Sequence, residues 1–397
     1  MPNLPYWRLS AYYFAYFAFI GVFSPYFALY LQSLSFSAWD IGLLMSQMQL
    51  MRVLGPYLWG ALADRLGQRL MIVRVTGAVA LLAFAAVFFS NGFTGLLLAM
   101  TVFAFFWAAS LPLVEALTFD HLREDPARYS GIRLWGSVGY IIAVLATGVA
   151  LDYLVIGSLL WASILALTVI VLCTLRLPEA LVHRPVGEAP PVGPIVRQPR
   201  VLALLVASFT MAAAHAALNI FFAIFLASHG YSKAMVAALL GLGVIAEIGV
   251  FLFMSRAMRR YGVRTILLAS YAAAVARFVM IGEGVDVLAI LLLAQVLHGL
   301  TFGACHAAAI TAINGWFPGA TRSRGQALYA SLSFGAGGFV GGLISGWSWD
   351  HLGGELTFAL SSIFALIGLL LVAVWVHEKK VGEPLVCGSG EIRERIG

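Results

Sequence analysis

GALADRLGQR, from Gly60 to Arg69, interrupts a chain that is apolar for long runs on both sides of it. Two glycines seven residues apart, an Asp-Arg pair between them and a further arginine behind cannot rest in hydrocarbon, where no water satisfies them. The stretch therefore reads as a short polar hinge joining two membrane helices. Gly60 permits close helix approach, and Asp64 is placed to face a helix N-terminus or an arginine across the loop, with Arg65, Gly67 and Arg69 completing the hinge.

The composition agrees. Of 397 residues 61% are hydrophobic and 11% charged, and the mean hydropathy is +0.93. A chain of that kind is a polytopic membrane protein, because it would aggregate in water. The net charge of +6 does not point to nucleic acid, since the basic residues lie between apolar runs rather than in one patch. Cys173, Cys305 and Cys387 are widely spaced and imply neither a disulfide framework nor a metal site, and no cofactor is expected. The first apolar run, Trp7 to Leu31, lacks a basic leader and a small-residue cleavage site and reads as the first span.

Crossing a bilayer core of roughly 30 Å takes about 20 helical residues. Runs of that length fall near 8–31, 38–61, 71–90, 94–118, 132–151, 157–175, 200–227, 234–255, 265–282, 287–312, 325–346 and 356–376, which makes twelve spans. The long polar interval 178–200 is rich in proline and charge and reads as a linker. The expected organisation is a six-helix bundle over 1–177, the cytoplasmic linker 178–200, a second six-helix bundle over 201–376 and a cytoplasmic tail over 377–397.

Lysine and arginine orient this arrangement. Arg65, Arg69, Arg74, Arg123, Arg128, Arg176, Arg184, Arg197 and Arg200 of the first half and linker fall on one side of the twelve-span layout. So do Arg256, Arg259, Arg260, Arg264, Arg322, Arg324, Lys379 and Lys380, and only Lys233 falls in a loop on the other. Such asymmetry places both termini and the linker in the cytoplasm. The halves also repeat: a shift of 195 residues lays Gly67 on Gly262 and Arg69 on Arg264. A duplicated unit with its axis along the membrane normal is the arrangement of a transporter whose halves rock about a midplane site.

Ionisable groups at bilayer depth are costly and face a cavity or a partner. Arg52, Glu115, Arg133, Glu247 and Arg277 are such groups, joined by His215, His298 and His306. The 195-residue shift sets Arg52 opposite Glu247, equivalent positions with opposite signs. Arg133, Ser137 and Tyr140 share one helical face in span five, and His298, Thr301, Phe302 and Cys305 share another in span ten. Tyr12 and Tyr16, one helical turn apart, are candidates to stack on an aromatic ring, and Asn219 follows His215 by four residues. The bland readings stay open: Arg133 snorkelling to the surface, a structural salt bridge of Glu247 with Arg52 or Arg277, and histidines satisfied in the interior.

The loop at Gly60 resembles the signature of the major facilitator superfamily. IRLWGSVGY (132–140), PLVEAL (112–117), VARFVMIG (275–282) and VLHGLTFGACHAAA (296–309) look like the phenylpropionate permease family, near the oligosaccharide and nucleoside proton symporters. The resemblance implies that Glu115 and Arg133, eighteen residues apart, bind substrate, and that Glu247, Arg277 and His298 surround a proton site. The further acid of the family's span ten is missing, since Thr301 stands in its place.

The function expected is proton-coupled uptake of a small organic substrate, an aromatic carboxylate of phenylpropionate type, by a monomer in the inner membrane. Arg52, Glu115, Arg133, Tyr140, Tyr12, Tyr16 and Asn219 would bind substrate, and Glu247, Arg277 and His298 would couple the proton. A sugar or nucleoside symporter shares these charges. An efflux antiporter is disfavoured because GSVGYIIAVLATG (136–148) holds no proline, and an enzyme because no catalytic set is present.

Overall fold

The computed structural model describes residues 4–90, 92–122, 128–180 and 191–377. The expectations placed on Arg123, Arg184, Lys379, Lys380 and Cys387, on linker residues 181–190 and on the tail from 378 lie outside the described residues.

The first bundle consists of α1 (Tyr6–Ser33), α2 (Ala38–Leu66), α3 (Arg69–Phe89), α4 (Phe93–His121), α5 (Tyr129–Tyr153) and α6 (Ser158–Arg176). The second opens with α7 (Pro199–Ser228). The helix Lys233–Glu283 bends at Gly262 into α8 (233–261) and α9 (263–283). After α10 (Leu288–Trp316), the helix Arg322–Trp375 bends at Gly353 into α11 (322–352) and α12 (354–375). Among the described residues nine continuous helices are long and apolar enough to cross a membrane. Two of these supply two crossings each, and α2, whose middle is made less apolar by Ser46, Gln47, Gln49 and Arg52, completes the twelve. Both α10 and α11 widen into π-helical turns where they face the centre, at Gly299–Ala304 and Ser331–Gly337.

The hinge expectation is corrected at its front end. α2 runs unbroken to Leu66, so Gly60, Asp64 and Arg65 lie on its final turns and only Gly67 and Gln68 make the turn. Alanine and leucine between the polar residues are strong helix formers, and they carry the helix past the point where hydropathy falls. A side chain at Gly60 would meet nothing within 4 Å, so that glycine marks no close helix contact. Asp64 does face an arginine, lying 3.6 Å from Arg69. Arg69 also pairs with Asp120 of α4, and the N–H of Leu70 donates to Glu179 at 3.1 Å.

The repeat has a physical basis in helix punctuation. Gly67 and Gly262, 195 residues apart in sequence, both take a positive φ, of 67° and 75°. Ser37 and Ser232, separated by the same interval, cap α2 and α8, accepting the N–H of Asp40 and of Met235 at 3.1 Å each. One shift thus superposes both the start signal and the stop signal of equivalent helices. Across the molecule the halves exchange partners: α2 lies against α11, and α5 against α8.

A residue with a Cβ pays about 1–3 kcal/mol to hold the left-handed helical conformation of Gly67 (ψ 16°) or the extended, positive-φ one of Gly262 (ψ 163°). Gly67→Ala and Gly262→Ala should therefore each lower the thermal unfolding midpoint in detergent, whereas Gly60→Ala, inside a helix and free of contacts, should leave it level or raise it.

Candidate functional site

A central cavity of about 400 Å³ lies between the halves. From the first half it is lined by Phe17 of α1, Gln49 and Arg52 of α2, and Arg133, Ser137 and Tyr140 of α5. The second half contributes His215 and Asn219 of α7, Glu247 of α8, His298 and His306 of α10, and Tyr329 of α11. Arg133, Ser137 and Tyr140 reach the cavity together because their spacing of four and three residues keeps them on one helix face.

The charges divide by half. Arg52 and Arg133 belong to the first bundle and Glu247 to the second, so the carboxylate and the cations face one another across the gap. The Arg133 guanidinium carbon sits 3.9 Å from the centroid of the Phe17 ring, which holds it over the cavity rather than at the surface. Among the described residues no cation lies within ion-pair distance of Glu247. The salt bridges of Glu247 with Arg52 or Arg277 are therefore not formed in this state.

Arg277 is fully buried, at 0% exposure, behind the cavity wall rather than on it. Its Nε donates to the Ala294 carbonyl at 2.8 Å, Nη1 to Thr301 at 3.1 Å and to His215 Nε2 at 3.3 Å, and Nη2 to Gln295 at 3.4 Å. Thr301 supplies a neutral acceptor. Because a carbonyl only accepts, the 2.9 Å contact of His215 Nδ1 with the Met211 carbonyl places the imidazole proton on Nδ1. Nε2 is then the acceptor that Arg277 uses, and His215 is a neutral wall residue. His298 stacks on Phe302 with ring centroids 5.4 Å apart, and its Nδ1 has no hydrogen-bond partner among the described residues. His306 shares a 2.9 Å hydrogen bond with the Tyr329 hydroxyl.

Three residues expected at the ligand lie elsewhere. Tyr12 and Tyr16 are buried in the first bundle, Tyr16 stacked on Trp107 at 4.5 Å, and neither lines the cavity. Glu115 accepts the Tyr129 hydroxyl at 2.9 Å between α4 and α5, outside the lining set. Apolar periodicity does not distinguish a face turned to a neighbouring helix from one turned to water, so these positions were ambiguous in sequence. Gln49 and Tyr329 went unnoticed. Gln49 stands one turn before Arg52 on the same face of α2, a spacing that would have found it.

A twelve-helix pair of bundles enclosing a charged cavity defines a secondary-transporter architecture and a multi-pass membrane protein. Residues 6–360 match the MFS_1 like family, and the chain belongs to that family. It is 30% identical over 369 residues to the probable 3-phenylpropionic acid transporter of Escherichia coli K12, covering 90% of this chain and 95% of that one. It is 26% identical over 379 residues to the maltose permease of Geobacillus stearothermophilus, covering 94% and 95% respectively. A crystal structure of the nucleoside transporter NupG superposes with a TM-score of 0.81 at 18% identity, covering 94% of this chain and 98% of that one. These similar proteins are transporters rather than enzymes.

The Arg277 network behaves as one unit. Arg277→Lys cannot make the same fork of contacts and should cost about 1–3 kcal/mol of stability. Combined with His215→Ala it should show a non-additive coupling of at least about 0.5 kcal/mol in a double-mutant cycle read by thermal unfolding.

Proposed function

We propose that this protein is a proton-coupled symporter that imports a small organic anion, an aromatic carboxylate of phenylpropionate type, across the inner membrane by alternating access. Both termini and the face bearing Gly67 and Gly262 lie in the cytoplasm in this reading, as the distribution of arginine suggests. The protein acts as a monomer, because one pair of bundles encloses one cavity.

The observation that carries the proposal is the opposition of Arg52 and Arg133 to Glu247 in a single cavity. With Glu247 ionised, its charge offsets part of the field of the two arginines. A proton arriving on Glu247 removes that offset and leaves two cations facing no charged acid in the cavity lining, which strengthens the attraction for an incoming carboxylate. By reciprocity a bound carboxylate holds the proton on Glu247, so the two ligands travel together. The ligand carboxylate would bridge Arg52 and Arg133, and its ring would lie among Phe17, Tyr140 and Phe302. A cavity of this size falls within the roughly 300–1,000 Å³ that suits small organic ligands. The likeness to a probable 3-phenylpropionic acid transporter supports the ligand class.

The remaining residues take supporting parts. Glu115 orders the start of α5 through Tyr129 and so sets the height of Arg133. Arg277 positions His215 and Thr301 in the wall, and His298, with a ring nitrogen unpartnered among the described residues, is the second group placed to handle the proton. A second reading, a sugar or nucleoside symporter, is favoured by the neutral donors Gln49, Asn219 and Tyr329 on the same wall and by the maltose permease and NupG likenesses.

In proteoliposomes with an imposed inward proton gradient, 3-phenylpropionate should accumulate. Glu247→Gln should abolish accumulation while preserving exchange of labelled for unlabelled substrate. Arg52→Gln and Arg133→Gln should each raise KM at least about tenfold, the loss of one charge-assisted hydrogen bond. Accumulation of a neutral sugar or nucleoside in place of the carboxylate would favour the second reading.

A further inference from the structure

On the face opposite the Gly67 and Gly262 turns, the two halves are joined twice by the same device. At the end of α5 the sequence reads GVALD (148–152), and in α11 it reads GWSWD (346–350), so each has a glycine one helical turn before an aspartate. Asp152 accepts the N–H of Lys233 at 2.8 Å and of Ala234 at 3.0 Å, the first two residues of α8 in the other half. Asp350 accepts the N–H of Ala38 at 2.9 Å and of Trp39 at 2.8 Å, the first two residues of α2 in the other half. A Cβ on Gly148 would lie 2.6 Å from the Lys233 carbonyl oxygen, and one on Gly346 would lie 2.7 Å from the Ala38 carbonyl oxygen. The glycine lets the helices cross backbone to backbone, and the aspartate a turn later meets the exposed N–H groups of the partner helix.

The pairing follows the repeat. Lys233 lies 195 residues after Ala38, and Asp350 lies 198 after Asp152. Ser37 and Ser232 satisfy a further N–H of the same helix starts, so each carboxylate completes a cap rather than duplicating it. A carboxylate at a helix N-terminus is favourable in charge as well as in hydrogen bonding. Lys233 illustrates the point: a cation at a helix start is unfavourable by itself, and its Nζ lies 4.0 Å from Asp152 Oδ1.

We infer that Asp152 and Asp350 form a twofold clasp between the halves that holds this face of the protein shut and must release for the cavity to open there. The inference rests on the alternating-access reading, since only a protein that opens on both faces needs such a clasp. Each carboxylate lies across the boundary between the halves, and its partners are main-chain groups that neither side-chain exchange nor ligand can replace. Parting the halves returns two N–H groups and one carboxylate to water at each clasp, so the closed face is favoured by a margin that a bound ligand can offset.

Spin labels at Val155→Cys and Val287→Cys, one in each half on this face and both exposed, would report its opening by pulsed distance measurement in lipid nanodiscs, with Cys173, Cys305 and Cys387 replaced. Asp152→Asn and Asp350→Asn, which keep side-chain size and one acceptor oxygen, should each raise the population at long distance about fivefold, and the double variant more than either. Asp40→Asn, a change at an exposed cap within one half, should leave the distribution as it is in the parent. An unchanged distribution in a double variant that elutes as a folded, monodisperse species would overturn the clasp. The measurement needs no substrate. A clasp variant that opens while no compound is transported leaves the clasp standing and removes the transport reading, and active transport with unaltered distances does the reverse.

Discussion

In the hydrocarbon core of a bilayer no water reaches the backbone, so the main-chain polar groups of each crossing must find their partners inside the protein. The architecture follows from that constraint. Helices satisfy their own interiors, and their ends are finished by particular residues: serine at the starts of α2 and α8, glycine at positive φ where α2 ends and where α8 gives way to α9. The buried Arg277 obeys the same rule, spreading its donors over a carbonyl, a threonine, a glutamine and a histidine without a carboxylate near it. Placing those neutral acceptors around a cation is the alternative to burying an ion pair, and it leaves Glu247 uncommitted within the cavity.

The electrical design of the centre depends on this division of labour. One arginine is neutralised in effect by dipoles behind the wall, while two others remain at the cavity surface opposite a single acid. The aromatic faces of Phe17 and Phe302 supply apolar area beside those charges, and Gln49, Asn219 and Tyr329 supply directional contacts. The family likeness to carriers of an aromatic acid, a disaccharide and nucleosides is consistent with a scaffold on which ligand choice is set by few side chains.

Much of the fold was legible in the sequence because lipid imposes length and polarity on each crossing. GALADRLGQR marked the end of one span and the start of the next, and the superposition of Gly67 on Gly262 announced the duplication. The boundaries were less legible. α2 continues through Ala61, Leu62, Ala63, Asp64 and Arg65 because helix propensity does not vanish where hydropathy does. In the site, Arg52, Arg133, Tyr140, Asn219, Glu247 and His298 share a cavity, since polar residues at depth have few other places to go. Tyr12, Tyr16 and Arg277 face neighbouring helices instead, and nothing in a linear pattern tells which neighbour a face will meet. Asp152 and Asp350 escaped notice because acids at helix ends look like ordinary surface residues until the partner helix is in view.

The crossings at Gly148 and Gly346 have a consequence for variation. Where main chain touches main chain, no rotamer can adjust and no larger residue fits without parting the rods, so these two points tolerate only the smallest residue. Changes in how readily the molecule gapes on that side must therefore be written into the acids and hydroxyls around the joints, a short alphabet at a handful of places, while the joints themselves stay fixed.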